Sequence, residues 1–283
     1  MIKRCKPLLG TLVEVSCTAN DTATELAACT AAFAAVQRVH TLMSYQDIGS
    51  NLYAFNALAS MQYAQAATEI IAVLLFCNAL SASSGGIFDV TAGPRSRANL
   101  AGAAHLAGRW QDIEIDAPKQ RLRKLAPLQI DLSGVAKGYA VDVAVHALQA
   151  AGATSGHVNA GGDCRVFGEP QRLVKVRAPW DLAHTLDLLA LHNASLATSA
   201  SYFLDAPAIQ HGMTGKSVDP RISVSVVAAS CMAADALTKI VALTQDPQHP
   251  VLAAYSAKAW LIKEPAHGKL AHDGTACNET AYG

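Results

Sequence analysis

The chain has 283 residues, 51% of them apolar, enough to bury a continuous core and to place it among folded globular proteins. Lys plus Arg and Asp plus Glu both number 22 and no basic stripe runs along the chain, which excludes nucleic acid as an expected partner. Seven cysteines form no CxxC pair, arguing against a disulfide framework or a thiolate zinc site and for a reducing, cytoplasmic compartment.

The first residues, Met1-Ile2-Lys3-Arg4-Cys5, lead straight into strand-like alternation, so no signal peptide is expected and Cys5 reads as an ordinary thiol, not a lipidation site. Residues 11–17 alternate as a half-buried strand. Thr22 and Glu25 have capping-box spacing at the head of an Ala-rich helix that reaches about Met43. Thr68 opens a second helix, which carries Ile70, Ile71, Leu74 and Leu75 and stops at the Ser83-Ser84-Gly85-Gly86 turn. Its apolar run falls short of the roughly 20 residues needed to cross a bilayer.

Residues 112–115 and 128–132 read as strands on either side of a turn at Pro118. A third helix starts near Gly134 and ends at Gly152, a residue suited to a left-handed cap. Strands are expected at 157–159, 164–167, 173–176 and 223–228, and Ser230 caps a helix over about 232–243. Strand runs and helices mix without regular βαβ alternation, so the fold class is α+β, with mixed or antiparallel sheets covered by helices. No linker or repeat divides the chain, and a single domain over residues 1–283 is expected.

Three segments bear chemistry. In the run from Ile130 to Asp142 a strand ends at Asp131, small residues follow, and Lys137 falls in the first turn of a helix. That junction suits either a phosphate or a plain capped helix with a surface lysine; the positive helix end disfavours Lys137, which needs Asp131 or a ligand phosphate as partner. Val158-Asn159-Ala160-Gly161-Gly162-Asp163 permits a bulge or a tight hairpin and lacks the GxGxxG pattern of a dinucleotide fold. Asp235 and Thr238, three apart on one helix face, offer hard oxygens for Mg²⁺, or Asp235 simply favours the positive helix end.

Read in order, Leu9-Gly10-Thr11, Met43-Ser44, Ser84-Gly85-Gly86-Ile87-Phe88-Asp89-Val90-Thr91, the run 131–142, the run 159–163 and Ala234-Asp235-Ala236-Leu237-Thr238 closely resemble the ApbE family of FAD:protein FMN transferases. The resemblance extends from about residue 7 to about residue 243. It implies an α+β fold with a T-fold-like element. It further implies FAD contacts from Leu9, Ile87, Phe88, Asp89, Asp131 and Lys137, and Mg²⁺ held by the Gly134 carbonyl, Asp235 and Thr238. Leu9 stands where the family usually has methionine. The family's further oxygen ligand is often a threonine four residues after the aspartate, and here Lys239 takes that place.

The usual His-Asp-Pro-Arg-Thr-Gly stretch is altered as well. Residues 209–218 read Ile-Gln-His-Gly-Met-Thr-Gly-Lys-Ser-Val, with Asp219-Pro220-Arg221 displaced downstream. His211 is the candidate base. The resemblance implies attack of a Thr or Ser hydroxyl of an acceptor flavoprotein on the FMN phosphorus, with AMP leaving. The alternatives are a FAD pyrophosphatase, with water as acceptor, and a FAD-binding protein without chemistry.

Overall fold

The computed structural model describes residues 1–101, 106–200, 209, 211–215, 218 and 222–263. It opens with a hairpin of β1 (Ile2–Leu8) and β2 (Thr11–Thr18). Its two-residue turn puts both Leu9 (φ 55°) and Gly10 (φ 69°) in the left-handed region, the geometry whose twist matches paired strands. Helix α1 (Thr22–Met43) follows, capped by Asp21, whose Oδ1 accepts the Thr24 N–H at 2.8 Å. The expected capping box from Thr22 is absent because this carboxylate, one residue earlier, takes the free N–H. Glu25 turns instead to the Ala19 N–H and the terminal amine.

Next come α2 (Asn51–Ala57), β3 (Tyr63–Gln65), α3 (Thr68–Ser83) and α4 (Ala92–Leu100). Strands β4 (Ile113–Asp116) and β5 (Arg121–Lys124) pair with β3 into a three-stranded sheet. The strand expected at 128–132 is not formed. Its backbone bonds go elsewhere: the Asn56 side chain donates to the Ile130 carbonyl and accepts the Ile130 N–H, both at 2.8 Å, and Asp131 N–H donates to Val90 O. The actual partner strand, Arg-Leu-Arg-Lys, hides its alternation because Lys124 points inward with Leu122.

Helix α5 (Ala136–Ala150) ends before Gly152, whose φ of +94° is the expected left-handed cap. There follow β6 (Ser155–Ala160), β7 (Asp163–Phe167), the hairpin of β8 (Arg172–Ala178) and β9 (Asp181–Leu191), β10 (Ser195–Ala200) and β11 (Ile222–Ala228). Helix α6 (Cys231–Thr244), capped by Ser230 through the Ala233 N–H, precedes β12 (Lys258–Lys263).

Seven strands in the order β1-β2-β6-β7-β10-β11-β12 form one sheet with every pairing antiparallel. Helices α1, α5 and α6 cover one face of it. The main core lies between these layers, with Val13, Val15, Val158 and Val224 from strands meeting Ala32, Val141, Ala144 and Leu237 from helices. Alternate residues Cys164, Val166, Leu196 and Val227 face the other way and pack under Leu191 of β9. The fold is α+β, as expected. Residues beyond 250, uninterpreted in sequence, contribute β12, which pairs with β11 from Ile222↔Lys263 to Val227↔Lys258.

Candidate functional site

Asp131, at the end of the extended segment clamped by Asn56, is fixed by its own neighbours. Its Oδ1 accepts the Ser133 N–H at 3.0 Å and its Oδ2 lies 2.9 Å from Arg97 Nη2. The Arg97 guanidinium in turn stacks over the Tyr45 ring, 4.7 Å from its centroid. Sequence reasoning missed Arg97, which lies on α4 where no motif flagged it.

Past this turn, the first turn of α5 presses against α6. Gly138 makes the contact possible: a Cβ there would lie 2.3 Å from the Cys231 carbonyl oxygen and 2.8 Å from Asp235 Cβ. Asp142, one turn on, accepts the Cys231 and Met232 N–H groups at 3.0 and 2.9 Å and so caps α6 from the neighbouring helix.

Between the helices lies a buried charge cluster. Lys137 Nζ is 3.1 Å from Asp163 Oδ2 and 3.8 Å from Asp235 Oδ2, so its partners are these two and not Asp131. Asp163 reaches it because Gly161 (φ +66°) and Gly162 (φ +104°) close β6 and β7 with a two-residue turn, resolving the bulge-or-hairpin alternative in favour of the hairpin. Burial pulls the Lys137 ammonium down, yet the two carboxylates together hold it above its ordinary value. Burial and the nearby Asp235 push the Asp163 carboxyl up, against the pull of Lys137.

Asp235 and Thr238 are fully buried. Lys239 Nζ donates to Asp235 Oδ1, to Ser199 Oγ at 2.9 Å and to Thr238 Oγ1 at 3.1 Å. Asp235 Oδ2 accepts the Gly138 N–H at 3.1 Å, and the Thr238 hydroxyl donates to the Asp235 carbonyl at 2.6 Å. A magnesium ion needs such hard oxygens free. Here the lysine ammonium holds three of them, Asp235 Oδ1, Thr238 Oγ1 and Ser199 Oγ. The expected Mg²⁺ therefore does not fit the donor set as this chain arranges it.

On the other side of the site, Ser84-Gly85-Gly86-Ile87-Phe88-Asp89 turns from α3 towards α4. Asp89 Oδ1 accepts the Thr91 N–H and hydroxyl at 2.8 and 2.7 Å. Its buried Oδ2 has no hydrogen bond, and Arg95 Nη2 stands 3.5 Å away. Against this segment packs the turn 211–215: Gly212 N–H donates to Ile87 O at 3.0 Å, and Arg95 and Arg109 both donate to the Gly212 carbonyl. His211 Nδ1 accepts the Met213 N–H at 3.1 Å, which leaves the proton of the neutral ring on Nε2. The displaced Asp219-Pro220-Arg221 lies outside the described residues.

Two adjoining cavities share Asp131, Ser133 and Lys137 as common wall. One, of about 410 Å³, is lined by Ile87, Phe88, Asp89, Gly134 and Lys239 among others. The second, of about 820 Å³, is lined by Leu9, Met43, Tyr45 and Arg97 among others. Leu9, Ile87, Phe88, Asp89, Asp131, Gly134 and Lys137 thus come together at one cleft. Asp235 and Thr238 sit beneath its floor, reached through Lys239, and His211 lines neither cavity.

The ApbE family model matches residues 9–260. The chain belongs to the ApbE family. Members similar to it include a protein of Vibrio cholerae serotype O1 named FAD:protein FMN transferase, 25% identical over an alignment 237 residues long, with 71% of this chain and 69% of that one covered. A protein of the same name from Chlamydia trachomatis serovar D is 34% identical over 147 residues, 47% of this chain and 45% of the relative. Among solved structures, the apo form of Pseudomonas stutzeri flavinyl transferase ApbE shares the fold with a TM-score of 0.79 at 23% identity, over 94% of this chain and 91% of that one. The family match runs past residue 243 and ends at residue 260, inside β12. No helix among the described residues is long and apolar enough to cross a membrane.

Proposed function

We propose that the chain is a FAD:protein FMN transferase that joins the FMN half of FAD to a Thr or Ser hydroxyl of an acceptor flavoprotein and releases AMP. The observation that carries this reading is the convergence of Leu9, Ile87, Phe88, Asp89, Asp131 and Lys137, from three separate segments, on two adjoining cavities. Their volumes fall in the range of about 300–1,000 Å³ usual for small-molecule sites.

In the proposed step the acceptor oxygen bonds to the FMN phosphorus. The bond from that phosphorus to the bridging oxygen breaks, and AMP departs with the electron pair. The magnesium that the resemblance implies would supply charge neutralisation for such a step, but two of its implied oxygens, Asp235 Oδ1 and Thr238 Oγ1, accept from Lys239, and the proposal uses only the chain's own groups. Lys137, held charged by Asp163 and Asp235, and the positive end of α5 offset the pyrophosphate charge. Asp89 Oδ2 offers a buried acceptor to a donor group of the nucleotide. His211 remains the proposed base, and to act it must release the Met213 N–H from Nδ1 or exchange tautomers.

That posture of His211 favours a second reading, a FAD-binding protein without transfer. Hydrolysis would be the same displacement with water as acceptor. We read residues 1–283 as one domain, supported by a core that joins residues from Val13 to Leu252. We place the reaction in the cytoplasm, supported by seven cysteines that form no CxxC pair.

Incubation of the purified protein with FAD, with and without a threonine-bearing acceptor peptide, tests these readings. AMP together with a peptide gaining an FMN-sized mass supports the transferase. AMP with free FMN replaces it by the hydrolase, and FAD binding without AMP replaces it by the binding protein.

A further inference from the structure

We infer that Lys239 is a built-in cation: its ammonium occupies the position where the resemblance implies a divalent metal, and the cleft takes FAD without one. This deepens the proposed function and rests on it for the identity of the ligand. The inference starts from three oxygens. Asp235 Oδ1, Ser199 Oγ and Thr238 Oγ1 come from α6 and β10, and all three accept from Lys239 Nζ. Their own hydrogens are committed: Thr238 donates to the Asp235 carbonyl, leaving its oxygen lone pairs to Lys239 and to Ser199 Oγ, 2.7 Å away. Each lone pair aimed at Nζ is thus an acceptor, the arrangement a cation requires.

The stem of Lys239 reaches this position over Gly134, where a Cβ would come within 3.4 Å of Lys239 Cε. Gly134 is the residue whose carbonyl the resemblance assigns to the metal, so the lysine fills the space between the expected ligands. The side chain is only 14% exposed while its carboxylate partner is wholly buried. A metal entering from solvent must displace an ammonium tethered one helical turn from Asp235, at a high local concentration. The ammonium also spends all three of its N–H groups on protein oxygens. It therefore neutralises a neighbouring pyrophosphate through space, while Lys137, with one carboxylate at 3.1 Å and the next at 3.8 Å, keeps N–H capacity for direct contact.

The test uses Mn²⁺ as probe, read by the electron paramagnetic resonance signal of the free ion, on the full chain and on Lys239→Thr. The expected result is no uptake by the wild type and uptake by the variant at least about tenfold tighter. In parallel, quenching of FAD fluorescence should be the same in EDTA and in Mg²⁺ for the wild type, and should require Mg²⁺ in Lys239→Thr. Mn²⁺ binding by the wild type as tight as by the variant would overturn the inference, as would loss of wild-type FAD binding in EDTA or failure of both proteins to take up Mn²⁺. Should Lys239→Thr fold poorly by circular dichroism, the wild-type Mn²⁺ titration decides alone. Should neither protein bind FAD under any condition, the proposed function fails while the Mn²⁺ result still stands.

Discussion

Lys124 and Lys239 are both largely withdrawn from water, yet their surroundings could hardly differ more. Lys124, at the end of β5, is 3% exposed and meets only neutral groups: its Nζ donates to the Asn56 carbonyl at 2.9 Å and lies 5.6 Å from the centre of the Phe55 ring. Burial lowers its pKa. Lys239 meets a carboxylate and two hydroxyls at the wall of the cleft. The first lysine braces the C-terminal end of α2 and loses charge stability in doing so. The second is paired with the Asp235 carboxylate, and a paired cation beside a cavity is available to a ligand.

The largest way to break this contrast is to remove Asp235, the shared counter-ion of Lys137 and Lys239. Asp235→Ala leaves two cations facing each other without it and frees the Gly138 N–H. A loss of about 3–5 kcal/mol in urea unfolding, with FAD binding abolished, is expected. A stable Asp235→Ala protein that still binds FAD would show that the lysines do not depend on this carboxylate.

A buried base whose Nδ1 lacks a hydrogen bond sharpens the comparison next. His157 on β6 is 6% exposed, its Nδ1 lacks a hydrogen bond, and Glu14 Oε1 is 3.8 Å away. Burial, with Arg172 and Lys3 nearby, pushes it down to about 4, and Glu14 opposes them. Because the folded value lies below the unfolded one of 6.5, the stability it contributes is present above pH 6.5 and lost as pH falls towards 4. The ceiling is about 3 kcal/mol. Urea midpoints at pH 7, 5.5 and 4 should fall steeply for the wild type and less for His157→Gln; parallel slopes would refute the assignment.

Gly138 tests the geometry that brings the charges together. With Cys231 O 2.3 Å from the added Cβ, Gly138→Ala must part α5 from α6, at about 1–3 kcal/mol. It should also weaken FAD binding, since Lys137 and Asp235 sit on the two separated helices. Unchanged affinity would place the FAD contacts away from this junction.

The layers of the fold were legible in sequence because their signals are local. Ser230 ahead of an apolar run announces α6, and the β-favouring residues of 223–228 announce β11. The strand misread at 128–132 shows where locality ends: Ile130 alternates correctly, but its two backbone bonds belong to Asn56, 74 residues away. The site divides in the same manner. Motif order brought together Leu9, Ile87, Phe88, Asp89, Asp131 and Lys137, while Arg97, Ser199 and the pairing of Lys137 with Asp163 depend on contacts that no spacing encodes. Lys239 was visible as an anomaly, a lysine where an oxygen is usual. What it does there required knowing that Ser199 of β10 completes its shell.

The smallest expected effect is also the sharpest test of the contrast between the two lysines. Lys124→Met keeps the buried stem and removes the ammonium, along with its bond to the Asn56 carbonyl. Losing that bond costs, and shedding a charge that burial disfavours gains, so the net change in unfolding free energy should stay within about 1 kcal/mol, with FAD binding untouched. Lys239→Met removes the same atoms from a shell where Asp235 needs them, and should cost more and disturb the cleft. If the two substitutions cost the same, counter-ions do not separate the lysines, and the charge at position 239 is structural in the same sense as the charge at 124.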